Sequence, residues 1–103
     1  MTATVRVFSG NGHSSSLKEL LPHFERRLGA IAKHLPSPGR LLDFGCAAGF
    51  FLEVAKRRGW TVAGVERAQE MAERAANALR VPVVTSLDAL PAAGFDAITL
   101  WEV

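Results

Sequence analysis

The sequence predicts one α/β domain built on a parallel sheet, and three observations predict it. From residue 40 onward short apolar runs alternate with amphipathic helical stretches, the pattern of strands joined by helical crossovers. A turn of small residues, Gly45-Cys46-Ala47-Ala48-Gly49, joins an acid-bearing strand directly to a helix. A second strand then ends in another acid, Glu66. At 103 residues the chain has the size of a single small domain. Its 49 % hydrophobic content and net charge of +2 separate it from disordered chains.

Residues 1–16 close on the polar, turn-rich stretch Ser9-Gly10-Asn11-Gly12-His13-Ser14-Ser15-Ser16 and read as a flexible N-terminal arm, ahead of a domain over residues 17–103. Leu17, Leu20, Leu21, Phe24, Leu28, Ile31, Ala32 and Leu35 then recur at three- and four-residue steps, which lays an apolar stripe along a first helix. Ser16 with Glu19 three residues on is a capping box for its start. Pro22 interrupts the pattern, because proline removes a backbone donor and crowds the preceding turn. Either the helix begins in earnest near Pro22, or Leu17–Leu21 forms a separate turn. It stops before Pro36-Ser37-Pro38-Gly39.

Arg40-Leu41-Leu42-Asp43-Phe44 reads as the first strand and Phe50 to Arg58 as a helix closed by Gly59. Thr61-Val62-Ala63-Gly64-Val65 is the second strand. Ala68 to Leu79, rich in Ala, Glu and Arg, is the third helix, with Met71, Ala75 and Leu79 on its buried face. Pro82-Val83-Val84-Thr85 and Phe95 to Trp101 complete four strands.

The chemistry lies at the first crossover. Gly45 and Gly49 let the backbone turn sharply and approach a ligand where a side chain would collide. The helix start behind them offers unpaired N–H groups and the positive end of a dipole, suited to a carboxylate. Asp43 sits at the carboxyl end of its strand, where ligands of open α/β sheets bind. Glu66, seventeen residues past Gly49, can take both ribose hydroxyls of a nucleoside. A nicotinamide dinucleotide is disfavoured, because its G-x-G-x-x-G fingerprint counted from Gly45 needs a small residue where this chain has Phe50.

With these residues the sequence resembles the class I S-adenosylmethionine-dependent methyltransferases, in particular their small-molecule branch. The resemblance covers about residues 24 to 103. It is carried by Leu42-Asp43-Phe44-Gly45-Cys46-Ala47-Ala48-Gly49, by Gly59 through Glu66, and by Gly94 through Val103. It implies a Rossmann-like parallel sheet of about four strands, in the order 3-2-1-4 with helices on both faces, truncated relative to the seven-stranded methyltransferase fold. By the same resemblance S-adenosylmethionine is the cofactor and S-adenosylhomocysteine the product. Asp43, Phe44, Gly45, Cys46, Ala47 and Gly49 would hold the methionine end and Glu66 the ribose, with Arg67 among the cofactor-binding residues. Ser86 and Leu87 would flank the adenine, and Trp101 the methionine and substrate side.

Two departures stand out. Ala47 occupies the place of the family's middle glycine and narrows the loop without closing it, provided the backbone there is ordinary. Ser86 stands where an Asp commonly meets the adenine, with Asp88 as the substitute if the alignment shifts by two.

The remaining features are read as structural. Cys46 alone can form no internal disulfide, and as a small residue it fills the turn. His13, His23 and His34 are spaced ten and eleven residues apart, which is no metal-ligand pattern. Arg26-Arg27 and Lys56-Arg57-Arg58 each have a glutamate within four residues, Glu25 and Glu53, and read as solvated helix faces with no nucleic-acid footprint. No apolar run is long enough to cross a membrane, and the N-terminus lacks the order of a secretory signal, so the expected setting is cytoplasmic.

The expected function is methyl transfer to a small-molecule acceptor, with the catalytic residue unassigned because methyl transfer rests on alignment more than on a protein acid or nucleophile. Alone, the 103-residue chain is expected to be inactive. A non-catalytic cofactor-binding or assembly module needing a partner chain is the alternative reading, and a nicotinamide-binding oxidoreductase domain the less favoured third. The fourth strand is expected to be an exposed edge through which copies of the chain could self-associate.

Overall fold

A computed structural model describes residues 6–10, 17–90 and 94–101. In chain order the elements are β1 (Arg6–Gly10), α1 (Leu17–Ala32), β2 (Arg40–Phe44), α2 (Phe50–Arg57), β3 (Thr61–Val65), α3 (Gln69–Leu79), β4 (Val83–Val84), a 3-10 turn (Leu87–Ala89) and β5 (Ala97–Trp101). Among the described residues all strand pairings are parallel, in the order β1-β5-β2-β3-β4. The four strands expected from the sequence therefore stand in the expected 3-2-1-4 order, and β1 is added beyond the fourth.

That addition corrects two expectations. Arg6–Gly10 is a strand paired with β5 from Arg6 opposite Ala97 to Gly10 opposite Trp101, so this part of the expected arm belongs to the sheet. Residues 1–5 and 11–16 of the arm lie outside the described residues. β5 is consequently an interior strand, hydrogen-bonded to β1 on one side and β2 on the other, and it is not the exposed edge through which self-association was expected. Val7 and Phe8 suit a strand well, and the pairing with β5 extends it into the polar residues Ser9 and Gly10.

α1 runs unbroken from Leu17 through Pro22 to Ala32. Proline removes one intrahelical donor, yet the apolar stripe downstream anchors the helix on the sheet, with Phe24, Leu28 and Ile31 buried. Phe24 meets Phe51 of α2 edge to face, with ring centroids 5.6 Å apart. The helix closes on Ile31, whose carbonyl accepts from both His34 N and Leu35 N. Ser16, the expected cap, lies outside the described residues.

The sheet separates two apolar clusters because successive strand residues point to opposite faces. Leu41, Val62 and Ala97 face the first, together with Phe24, Leu28 and Ile31 of α1, Phe51, Leu52, Val54 and Ala55 of α2, and Trp60. Leu79, at the end of α3, packs on the same cluster. The second face carries Leu42, Ala63 and Val65 with Phe44, Val84, Ile98, Leu90 and Phe95. Helical cover was expected there too; among the described residues it is limited to the 3-10 turn that leads into Leu90. On α3, Ala72 and Ala75 are buried while Met71 is 40 % exposed, so Met71 lies off the buried face it was expected to share.

β2 and β5 are tied at their amino ends. Arg40 N donates to Asp96 Oδ2 at 2.9 Å and Asp96 N donates to Arg40 O at 2.8 Å, while the Arg40 guanidinium lies 5.0 Å from the centre of the Phe95 ring. On the surface Arg57 pairs with Glu53 and Arg58 with Glu25, which is how the basic runs are locally balanced.

Gly64 in β3 marks the tightest approach of sheet to turn. A methyl there would meet Cys46 Sγ at 2.7 Å and Leu52 Cδ1 at 2.8 Å. Overpacking of this kind typically costs about 1–3 kcal/mol. Gly64→Ala is expected to lower stability in denaturant titrations by that amount. Cys46→Ala in the same background is expected to recover part of it, so that the double variant loses less than the two single losses added together.

Candidate functional site

The carboxyl ends of β2 and β3 converge on the turn Gly45–Gly49. Gly45 and Cys46 both donate their backbone N–H to Val65 O, at 2.8 and 3.2 Å, which lashes the turn to the end of β3. The backbone then passes through left-handed geometry three times, at Gly45 (φ 69°), Ala47 (φ 52°) and Gly49 (φ 87°). Glycine adopts it freely; alanine does so at a cost of roughly 1–2 kcal/mol. The backbone at Ala47 is therefore not ordinary, contrary to the condition under which its methyl was expected to be harmless. Gly49 is the N-cap of α2 and provides no side-chain cap to its first turn. A methyl on Gly49 would meet Leu79 Cδ1 at 2.7 Å and Ala75 Cβ at 3.3 Å, so the turn packs closely against α3 at a position whose φ already favours glycine.

Glu66 holds the strained position. Its Oε1 accepts from Ala47 N and its Oε2 from Ala68 N, both at 2.9 Å. One carboxylate thus spans the turn and the N-cap of α3. Each oxygen of a carboxylate has further acceptor capacity, so a hydroxyl pair can still be received.

Asp43 does not line open space. It is 3 % exposed, and its Oδ1 lies 2.6 Å from the hydroxyl of Thr99, which is itself fully buried on the adjacent strand. The sheet register places Asp43 directly opposite Thr99. Burial raises the Asp43 carboxyl from 3.8 to about 7, against the opposing pull of the Thr99 hydrogen bond and the positive charge of Arg27 on α1. Cys46 is likewise buried, and its thiol is pushed up to about 12 by desolvation and by the charges of Asp43 and Glu66, which leaves it an inert filler of the turn.

Beside the turn opens a cleft of about 450 Å³, lined by Phe44, Gly45, Val65, Glu66, Arg67, Thr85, Ser86 and Leu87. Six of the residues singled out in the sequence meet there: Phe44, Gly45, Glu66, Arg67, Ser86 and Leu87. Asp43, Cys46, Ala47 and Gly49 stand outside its lining and build the turn at its end. Trp101 ends β5, and its side chain lies outside the described residues. Ser86 Oγ accepts from Asp88 N at 3.3 Å and caps the 3-10 turn, whereas Asp88 is absent from the cleft lining. Of the two candidates for the adenine edge, the cleft contains Ser86. Leu87, 48 % exposed, offers an apolar surface beside it. Sequence reasoning missed Val65 and Thr85 in the lining and Thr99 behind Asp43; a threonine inside an otherwise apolar strand was the available signal for the last.

A second hollow of about 300 Å³ lies between α1 and the linker to β2, lined by residues that include Leu28, Leu35, Pro36, Pro38 and Trp60. It collects no strand-end acid and no glycine turn, so the cleft over Glu66 is the candidate site.

A family model described as a methyltransferase domain matches residues 15–103. The chain belongs to the methyltransferase domain family. Solved structures share this domain's fold. WbdD, in a monomeric form, aligns with a TM-score of 0.62 at 20 % identity, over 90 % of this chain and 27 % of its own. Magnesium protoporphyrin IX methyltransferase (ChlM) of Synechocystis PCC 6803, solved with bound SAH, aligns at 0.57 and 16 % identity, over 91 % of this chain and 49 % of its own. CalS10, an amino pentose methyltransferase of Micromonospora echinaspora solved with bound SAM, aligns at 0.56 and 24 % identity, over 86 % of this chain and 43 % of its own. The methyltransferase domain described here thus spans half or less of the length of each. No curated protein matches the sequence. The cofactor that goes with the family is S-adenosylmethionine, and the cleft of this domain fits it in kind: a carboxylate at a strand end, a glycine turn ahead of a helix start, and an apolar wall at Leu87.

Two predictions follow from the strained turn and the buried acid. Ala47→Gly relieves the left-handed strain and is expected to raise stability by up to about 1 kcal/mol in denaturant titrations. For Asp43 the folded-state pKa is raised, so the folded protein holds a proton that the unfolded chain releases. Its contribution to stability is present at low pH and is lost as pH rises from about 4 through about 7. The melting temperature is expected to fall across that window, and Asp43→Asn to flatten the fall and melt about 5 °C or more above the parent at pH 8.

Proposed function

We propose that the chain is the cofactor-binding half of an S-adenosylmethionine-dependent methyltransferase that methylates a small-molecule acceptor. The observation that carries this reading is the Glu66 carboxylate at the end of β3, held by Ala47 N and Ala68 N at 2.9 Å each and lining a nucleoside-sized cleft with Ser86 and Leu87. In the proposed arrangement Glu66 takes the ribose hydroxyls, with Arg67 beside it. Ser86 and Leu87 flank the adenine. Asp43, Phe44 and the turn Gly45, Cys46, Ala47, Gly49 hold the methionine end, where the start of α2 favours its carboxylate. Trp101 borders the acceptor side.

When bound, the cofactor supplies an electrophilic methyl group on a sulfonium. The residues of this chain bind and orient; none is assigned as catalytic, in keeping with a reaction that depends on alignment of donor and acceptor. A small-molecule acceptor is supported by fold relatives whose substrates are an amino pentose and magnesium protoporphyrin IX. Among the described residues no helix is long and apolar enough to cross a membrane, and a cytoplasmic setting belongs to the same proposal.

Calorimetric titration tests the reading directly. S-adenosylhomocysteine is expected to bind and NAD to give no heat. Glu66→Ala is expected to weaken S-adenosylhomocysteine binding by about tenfold or more, since it removes two charge-assisted hydrogen bonds together with the clasp on Ala47. Binding of NAD in preference would return the chain to the dinucleotide class, and binding of neither would leave an assembly module.

A further inference from the structure

A buried donor and an open wall meet at the hollow between α1 and the linker to β2. Trp60, the residue ahead of β3, is 7 % exposed and packs in the first apolar cluster. Its backbone N–H donates to Ala55 O at 3.1 Å, but among the described residues its indole N–H meets no acceptor. Buried indole N–H groups normally find one. The open space that Trp60 lines is this hollow of about 300 Å³, whose other walls include Leu28, Leu35, Pro36 and Pro38. Gly29, in the last turn of α1, lines it too. Its backbone is not in left-handed geometry, and a Cβ built on it would meet nothing within 4 Å. Neither backbone nor packing demands glycine there, and glycine weakens a helix relative to alanine. What its missing side chain provides is room in the hollow.

We propose that this hollow is a second small-molecule site, which takes a neutral, apolar compound carrying one hydrogen-bond acceptor, of the class of an aromatic ketone, with the Trp60 indole N–H as its donor. The leucine and proline walls suit an apolar body, and the indole N–H needs an oxygen on it. The two charged groups that line the hollow, Arg58 and Glu25, are paired with each other at 2.5 Å, so neither calls for an ionic ligand. The volume stands at the lower end of small-molecule pockets and suits a single ring better than a nucleotide. The hollow lies at the amino ends of β2 and β3, where Thr61 N donates to Gly39 O, whereas the Glu66 cleft lies at their carboxyl ends. Strands of five residues separate the two by roughly 15 Å. A compound held here is therefore not the methyl acceptor, and the proposal stands independently of the cofactor reading.

Acetophenone and ethylbenzene, alike in shape and different in the carbonyl oxygen, are the probes. The chain has two tryptophans, Trp60 and Trp101, so Trp101→Phe assigns the two indole N–H resonances in proton–nitrogen NMR spectra. Acetophenone is expected to move the Trp60 indole proton downfield in a saturable titration, and ethylbenzene to leave it without that downfield shift. Gly29→Leu, which puts a side chain into the hollow, is expected to lower acetophenone affinity by about tenfold or more while the protein keeps its helical circular dichroism and cooperative melt. Trp60→Phe, which keeps an aromatic ring and removes the donor, is expected to lower the ratio of acetophenone to ethylbenzene affinity by about fivefold. The absence of a saturable shift with acetophenone overturns the proposal, as does an equal downfield shift with ethylbenzene. Full acetophenone affinity in folded Gly29→Leu, or an unchanged ratio in Trp60→Phe, overturns it too. If either variant fails to fold, the parent spectra decide, because the indole proton reports the hydrogen bond without any substitution in the hollow.

Discussion

Everything at the carboxyl edge of this sheet depends on one clasp, the Glu66 carboxylate bridging Ala47 N and Ala68 N. The turn after β2 passes through left-handed geometry three times in five residues, and one of those residues carries a side chain. Such a segment keeps its shape only where its surroundings over-determine it. Val65 O takes two of its N–H groups, Glu66 a third, and the packing of Gly49 against Leu79 holds the far end. The same acid that closes the turn also lines the cleft, so under the proposed function a ribose hydroxyl pair would meet a carboxylate that is already oriented, which lowers the ordering cost of binding.

Behind the clasp lies a group the fold holds at a cost to its own stability. Desolvation of Asp43 opposes its charge, and Thr99 and Arg27 offset that opposition only in part. Its place in the apolar interior, under α1 and α2 and opposite a threonine, has no packing advantage over an aliphatic residue of similar size. Groups perturbed in this way concentrate at functional sites. Cys46 next to it shows the contrasting case, a buried thiol whose environment suppresses reactivity while its volume fills the space that Gly64 leaves open.

Much of the architecture was legible because it rests on local rules. The apolar stripe of α1, the acid-turn-helix junction at Asp43 to Gly49, the second acid at Glu66 and the order of the four strands could all be read from spacing, composition and the family pattern. What escaped the reading had a non-local cause in each instance. Proline at position 22 argued for a break in α1, yet tertiary packing of Phe24, Leu28 and Ile31 outweighs one lost donor. Arg6–Gly10 became a strand through pairing with β5, more than eighty residues away in sequence. Met71 has the spacing of a core residue, and the crossing of α3 over the sheet instead buries Ala72 and Ala75.

By itself the sequence determined the strand-turn-helix junction after the first expected strand and the acid that ends the second, because glycine, small residues and strand-end acids occupy the positions such a junction requires. Six of the residues it singled out, Phe44, Gly45, Glu66, Arg67, Ser86 and Leu87, line one cleft, whereas Asp43, Cys46, Ala47 and Gly49 build the turn at its end. Only the tertiary structure decided the state of its acids. Asp43 and Glu66 have the same charge and similar places at strand ends, but Asp43 lies opposite Thr99 inside the sheet, whereas Glu66 is half-exposed with two backbone donors. Desolvation and hydrogen-bond partners are properties of surroundings assembled from distant parts of the chain, and no local pattern of residues encodes them.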